Sequence, residues 1–216
     1  MEIVPCELRK RCQVASLMKV PLISLVSLSL LAATGCAEPK LPSTPPKAEA
    51  YVNEASLPKG WPLPGPYNEV TKKKYPVYRV ATTENGGRTR SFWTLFQHIK
   101  SQDIPMTAPV EMKMEEKDGV MEMSSMGFLY QDTSVGAVGA NGDKVEVTDV
   151  PAMTVLSYAW LGANNDKAVE KARASLDAKL AEEKLTAESY RLLGYNGPSV
   201  PKARRTHELQ AILKRQ

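Results

Sequence analysis

Strand, helix, strand, strand: this order is written twice into the sequence, over roughly 75 to 130 and again over 152 to 213, and the recurrence limits the fold more than any single motif. In the first half, Tyr75 to Val80 is rich in β-formers and Glu84-Asn85-Gly86-Gly87 reads as a turn. Arg90 to Lys100 then carries Phe92, Leu95, Phe96 and Ile99 at helical spacing. Pro105 and Pro109 end that helix, after which Val110, Met112 and Met114 alternate with Glu111, Lys113 and Glu115. A turn at Lys117-Asp118-Gly119 leads into Val120 to Tyr130, which completes a hairpin. In the second half, Met153, Val155 and Tyr158 mark a strand, and Asp166 to Glu183 a helix whose inner face is Val169, Ala172, Leu176 and Leu180. Tyr190 to Leu193 starts a last strand, before a Gly197-Pro198 turn and a basic segment that ends in Thr206 to Leu213. The two halves share almost no residues, so form repeats rather than sequence. One curved sheet or open barrel with a helix against each half is expected, an α+β domain.

Ahead of this domain, Met18-Lys19-Val20-Pro21-Leu22 opens an apolar run that reaches Ala33-Thr34-Gly35-Cys36. A short positive end, an apolar core, small residues and a cysteine follow in the order of a bacterial lipoprotein signal. Residues 21 to 33 would span only about 20 Å as a helix, against a hydrocarbon core of about 30 Å. They are too few to anchor a chain, whereas acyl chains on Cys36 would hold it durably. Residues 1 to 17 mix Glu2 and Glu7 with Arg9, Lys10 and Arg11 and fit poorly before such a signal, which makes Met18 the alternative start. Ala37, next to the cysteine, matches outer-membrane sorting in proteins of this kind. The expected organisation is a signal region at 1–35, a lipidated cysteine and Pro-rich tether at 36–66, and a domain at 67–216. The expected location is the bacterial outer membrane, facing the periplasm. Eight prolines between Pro39 and Pro66 oppose helix in the tether, with Trp61 and Leu63 expected to pack onto the domain.

Cleavage before Cys36 removes four cations (Arg9, Lys10, Arg11, Lys19) and two acids (Glu2, Glu7), so the formal net charge of +4 falls by two to +2. Nucleic acid is a poor inference from so small a charge. Cys6 and Cys12 leave with the same piece, and no thiol remains beyond Cys36 for a disulfide, a nucleophile or a metal. There is no Gly-x-Ser-x-Gly elbow, phosphate loop or dinucleotide glycine pattern, and two histidines cannot build most zinc sets. A non-enzymatic domain is expected.

Three separated blocks resemble the SOUL heme-binding protein family: Phe92-Trp-Thr-Leu95-Phe96-Gln-His-Ile99, Ile104-Pro-Met106-Thr107-Ala-Pro109-Val110, and Met126-Gly-Phe128-Leu129. Tyr195-Asn-Gly-Pro198 and Arg204-Arg205-Thr-His-Glu208 continue the likeness, with Gly197 where a proline is frequent and Thr206-His207 departing from the usual order. The resemblance implies a distorted antiparallel β-barrel of two βαββ repeats with two principal helices against the sheet. It also implies reversible, noncovalent binding of heme or another tetrapyrrole.

A tetrapyrrole offers a wide apolar ring with carboxylates at one edge, so its site needs an apolar wall rimmed by cations. Met106, Met112, Met114 and Met126 are candidates for an adaptable wall, although their alternation equally predicts ordinary core. His98 and His207 are the only imidazoles and hence the candidate iron ligands. His98 is placed on the outer side of its helix, where a plain surface histidine is the competing reading. Arg204 and Arg205 present planar forks for carboxylates, with a solvated charge run or a pairing to Glu208 as alternatives. The expected function is a membrane-tethered tetrapyrrole binder that buffers or carries heme in the envelope. The alternatives are an anchored structural or interaction domain without ligand, and a pocket for another amphipathic small molecule.

Overall fold

Alternating side chains along nine strands give this chain a sheet with two buried faces, one covered by helices and the other by the segment that precedes the first strand. The computed structural model describes residues 51–84 and 86–214, so the signal region and Cys36 lie outside the described residues. The elements are β1 (Val70–Tyr75), β2 (Tyr78–Glu84), α1 (Arg88–Ser101), β3 (Val110–Lys117), β4 (Val120–Leu129), β5 (Gly139–Asn141), β6 (Val145–Val150), β7 (Met153–Leu161), α2 (Asp166–Glu183), β8 (Ala187–Gly194) and β9 (Thr206–Leu213). A 3-10 turn, Lys202–Arg204, precedes β9. Among the described residues no helix is long and apolar enough to cross a membrane.

The strand order is β1-β7-β9-β8-β3-β4-β2-β6-β5, antiparallel throughout. The two halves, β2-α1-β3-β4 and β7-α2-β8-β9, meet where β3 pairs with β8, Met112 opposite Leu192. Each half borrows its outer strand: β1, ahead of the first half, pairs with β7, and β6, ahead of the second, pairs with β2. The pairing stops at β1 on one side and at β5 on the other. The expected α+β architecture is therefore present as an open sheet, not a closed barrel. The last strand toward that closure is only three residues long and fully exposed, and offers little to pair with.

Both helices lie on the same face, α1 over β2, β4 and β6, and α2 over β7, β9 and β1. Asn165 caps α2 by accepting a hydrogen bond from the Ala168 amide at 3.0 Å, and Val169, Ala172, Leu176 and Leu180 are buried as their spacing predicts. In α1 the buried residues are Ser91, Leu95, His98 and Ile99, whereas Phe92 and Phe96 are half-buried and Trp93 is exposed. Phe92 and Phe96 still pack against the core, and the inner face widens beyond them: Ser91 ties the helix start to the Glu84 carbonyl, and His98, expected on the outer side, meets Tyr130 inside. The Tyr75 to Val80 run, expected as one strand, is split at Pro76-Val77 into the end of β1 and the start of β2.

On the other face, Trp61, Tyr75, Tyr78, Val80, Leu129, Val155, Leu193 and Tyr195 form a second apolar cluster, with Tyr51 and Leu57 packed against it. Residues 51–66 are a strap across this face rather than a free leash. Trp61 is buried as expected, but Leu63 is exposed.

Candidate functional site

The residues singled out from sequence are scattered between the core and the turn before β9 instead of gathered at one opening. Met112, Met114 and Met126 are buried in the helix-side core, with Met106 packed against it, so their alternation serves packing. His98 is buried on α1, its Nε2 2.8 Å from the Tyr130 hydroxyl, and its Nδ1 has no partner among the described residues. His207 lies on β9 with its ring 5.5 Å from that of Trp160 and its Nδ1 likewise unpartnered. Burial pushes the His207 imidazole down to about 4, so it is neutral at neutral pH. Arg205 donates from Nε to the Val200 carbonyl at 2.9 Å and from Nη2 to the Pro198 carbonyl at 3.0 Å, closing the turn before β9. Arg204 is exposed on that turn. Among the described residues no three His, Cys, Asp or Glu side chains converge as a metal site would require.

An open cleft of about 790 Å³ forms elsewhere, where the end of β1, the β6–β7 turn, the α2–β8 connection and the end of β9 meet. Val150, Met153, Leu185, Ile212 and Leu213 give it an apolar floor, and Lys72, Lys74, Lys184 and Lys214 stand around it with Glu188 as the one acid. Strand alternation places the first two cations: Lys72 and Lys74 are exposed, while Lys73 between them turns inward. Lys184 is set by the left-handed residue that ends α2, at φ 54°, whose amide donates to the Leu180 and Ala181 carbonyls. Lys214 is held beside it because its amide donates to the Thr186 carbonyl at 3.1 Å. Neither histidine lines this cleft. An apolar floor ringed by ammonium groups suits a flat molecule with carboxylates at its edge.

Tyr75 joins the cleft to a buried polar network on the strap side of the sheet. The Arg191 guanidinium, 1 % exposed, lies within cation–π distance of Trp61, Tyr75 and Tyr78. It donates to Glu111 at 2.9 Å, to the Tyr78 hydroxyl at 2.7 Å and to Gln210 at 2.8 Å. Nearby, the fully buried Glu208 carboxylate accepts from Lys73, from Tyr195 at 2.9 Å, from Gln210 at 2.9 Å and from the Gly65 amide at 3.0 Å. Arg204 and Arg205 do not share in this network, so Glu208 takes its cation from β1 instead. Burial beside Glu208 and Glu111 pushes the Tyr75 and Tyr78 hydroxyls above the ordinary tyrosine range, which keeps them protonated as donors. Every charge here is already paired, which makes the network a fastening for strap and sheet. The lysines of the cleft escaped sequence reasoning because they come from three separated segments; only the Lys72-Lys73-Lys74 run signalled anything.

The comparisons with known proteins agree with this topology. The fold is similar to the crystal structure of the EcmrR C-terminal domain at 15 % identity and a TM-score of 0.51, covering 68 % of this chain and 98 % of that one. It is also similar to an uncharacterized conserved protein from Listeria innocua at 11 % identity and a TM-score of 0.53, covering 69 % and 94 % respectively. At such identities the likeness is one of fold alone. Among curated proteins nothing matches the chain. The family model described as SOUL heme-binding protein matches residues 66–212, more than half of the chain and both βαββ halves, and on that ground the protein belongs to the SOUL heme-binding family.

Proposed function

We propose that this protein binds heme or a related tetrapyrrole noncovalently in the lysine-ringed cleft, as a lipid-anchored envelope protein that buffers or carries its ligand. Family membership supports the ligand class, and one observation carries the location: an apolar floor of Val150, Met153, Ile212 and Leu213 bounded by Lys72, Lys74, Lys184 and Lys214. The ring would lie on the floor and its carboxylates would meet the ammonium groups. With no imidazole in the cleft, contacts to the ring and its carboxylates carry the affinity, and iron is incidental to it. The anchoring half of the proposal rests on the lipoprotein-like run ending at Cys36.

The test is a titration of the protein with ferric heme and with metal-free protoporphyrin, followed by the Soret band. Saturable binding of both, unchanged in His98→Ala and His207→Ala, is the expected result. At about 0.5–1 kcal/mol for each rim cation, Lys72→Glu/Lys74→Glu weakens both ligands roughly tenfold or more. A saturable change with heme alone, abolished by either histidine variant, would move the site to that imidazole; no saturable change with either ligand would remove the function. Mass spectrometry of the membrane fraction tests the anchor: an acylated N-terminal Cys36 peptide supports it, and an unmodified one rejects it.

A further inference from the structure

Helix α1 contains no acidic residue, and its outward side carries an aromatic group that packing leaves uncovered. Trp93 is 54 % exposed although it contacts both Phe92 and Phe96, with ring centres at 5.9 and 5.5 Å. Arg90 stands one turn before Trp93 and Lys100 two turns after it, both exposed, and Thr89 and Gln97, four residues to either side of Trp93, are neutral. Arg88 adds a third exposed cation at the helix start. Among the described residues none of the three cations forms an ion pair. Arg90 also borders a polar cleft that contains Glu84, Asp143 and Glu146, so its charge is partly offset there.

An exposed indole on an aromatic base, flanked along one helix by cations, has the chemistry of an interfacial contact: the ring enters the headgroup boundary and the cations meet phosphates. We propose that α1 is a docking face for an anionic phospholipid bilayer, with Trp93 as the inserted ring and Arg90 and Lys100 as the headgroup contacts. The reading does not depend on tetrapyrrole binding, which uses a different cleft. If Cys36 is lipidated as proposed above, the 14 residues between it and Tyr51 reach at most about 50 Å when fully extended. That tether makes a weak second contact intramolecular, so α1 needs only modest affinity to set the orientation of the domain.

The three tryptophans make the test specific, because Trp61 and Trp160 are each 6 % exposed and only Trp93 is open to a quencher. The full chain is mixed with phosphatidylcholine vesicles carrying brominated acyl chains, with and without phosphatidylglycerol, and tryptophan emission is followed. Quenching in the phosphatidylglycerol vesicles, absent in Trp93→Phe, is the expected result. Arg90→Glu/Lys100→Glu lowers the Trp93 partitioning by roughly thirtyfold or more, as two cations near an anionic surface imply. Lys167→Glu/Lys171→Glu on α2 controls for net charge and leaves quenching in place. Equal quenching without phosphatidylglycerol, quenching that persists in Trp93→Phe, or none at all overturns the proposal, whether or not an anchor elsewhere holds the protein on the vesicle.

Discussion

The Arg191 guanidinium lies 4.8 Å from the centre of the Tyr75 ring and donates to the Glu111 carboxylate at 2.9 Å, so one side chain is both the filling of an aromatic cage and half of an ion pair. Removing one member of a buried pair strands the other, at a cost of about 3–5 kcal/mol. Arg191→Met is expected to lower the unfolding free energy in urea by that amount. Arg191→Met/Glu111→Gln should recover part of the loss, so that the two single changes are not additive. Additive losses would show that the pair is not coupled.

Trp61 fastens the strap. Its ring meets Tyr75 at 4.6 Å and Tyr78 at 5.1 Å between centres, and Gly65 and Leu63 follow with hydrogen bonds to Glu208 and Lys73. Trp61→Ala is expected to free residues 51–66 before the sheet opens, since Trp61 is the one large side chain among them that is buried. Trypsin should then cut after the exposed Lys59 roughly tenfold faster, while far-UV circular dichroism stays unchanged. Equal cleavage rates in the two proteins would show that the strap is held elsewhere.

His207 supplies a pH dependence. Its folded value of about 4 lies below the ordinary imidazole value of about 6.5, so the unfolded chain binds the extra proton first and stability falls as pH drops from about 6.5 to about 4. Above this window the contribution is fully present, and below it the loss levels off. The full difference amounts to about 3 kcal/mol. Urea midpoints measured for the native chain and for His207→Gln are expected to diverge most in slope between pH 4 and 6.5, with the variant the flatter.

Gly127 lies on β4 between two neighbours, opposite Thr82 of β2 and Glu111 of β3. A methyl group added there would sit 2.7 Å from the Val80 Cγ2, within a strand pair whose register is fixed by its neighbours. Gly127→Ala is expected to destabilise by about 1–3 kcal/mol through overpacking. Val80→Ala, placed in the same chain, should relieve part of it, which a thermal melt of the three variants reads directly.

Long periodic elements were legible in the sequence because their apolar spacing is set by the backbone itself. α2 runs over Asp166–Glu183, the bounds the pattern predicts. The apolar stripe of α1 packs as its spacing predicts, with Leu95 and Ile99 inside and Phe92 and Phe96 against the core, but the outward reading of His98 fails because a hydrogen bond to Tyr130 holds the ring inside. Arg205 resembled a ligand contact, but its guanidinium closes a local turn through backbone carbonyls that no residue pattern reveals. The cleft was hidden for a different reason. Lys72, Lys184 and Lys214 are neighbours only because β1, β7, β9 and β8 pair in that order, and long-range pairing leaves no mark on any one segment.

The exchange of outer strands bears on how the molecule comes apart. With β1 lodged beside β7 and β6 beside β2, each half is clasped by a finger of the other. A nick in the segment joining β4 to β5 would break the thread without releasing the grip, and two separately made pieces would each hold the strand its counterpart lacks. The halves let go of one another together, or they stay joined.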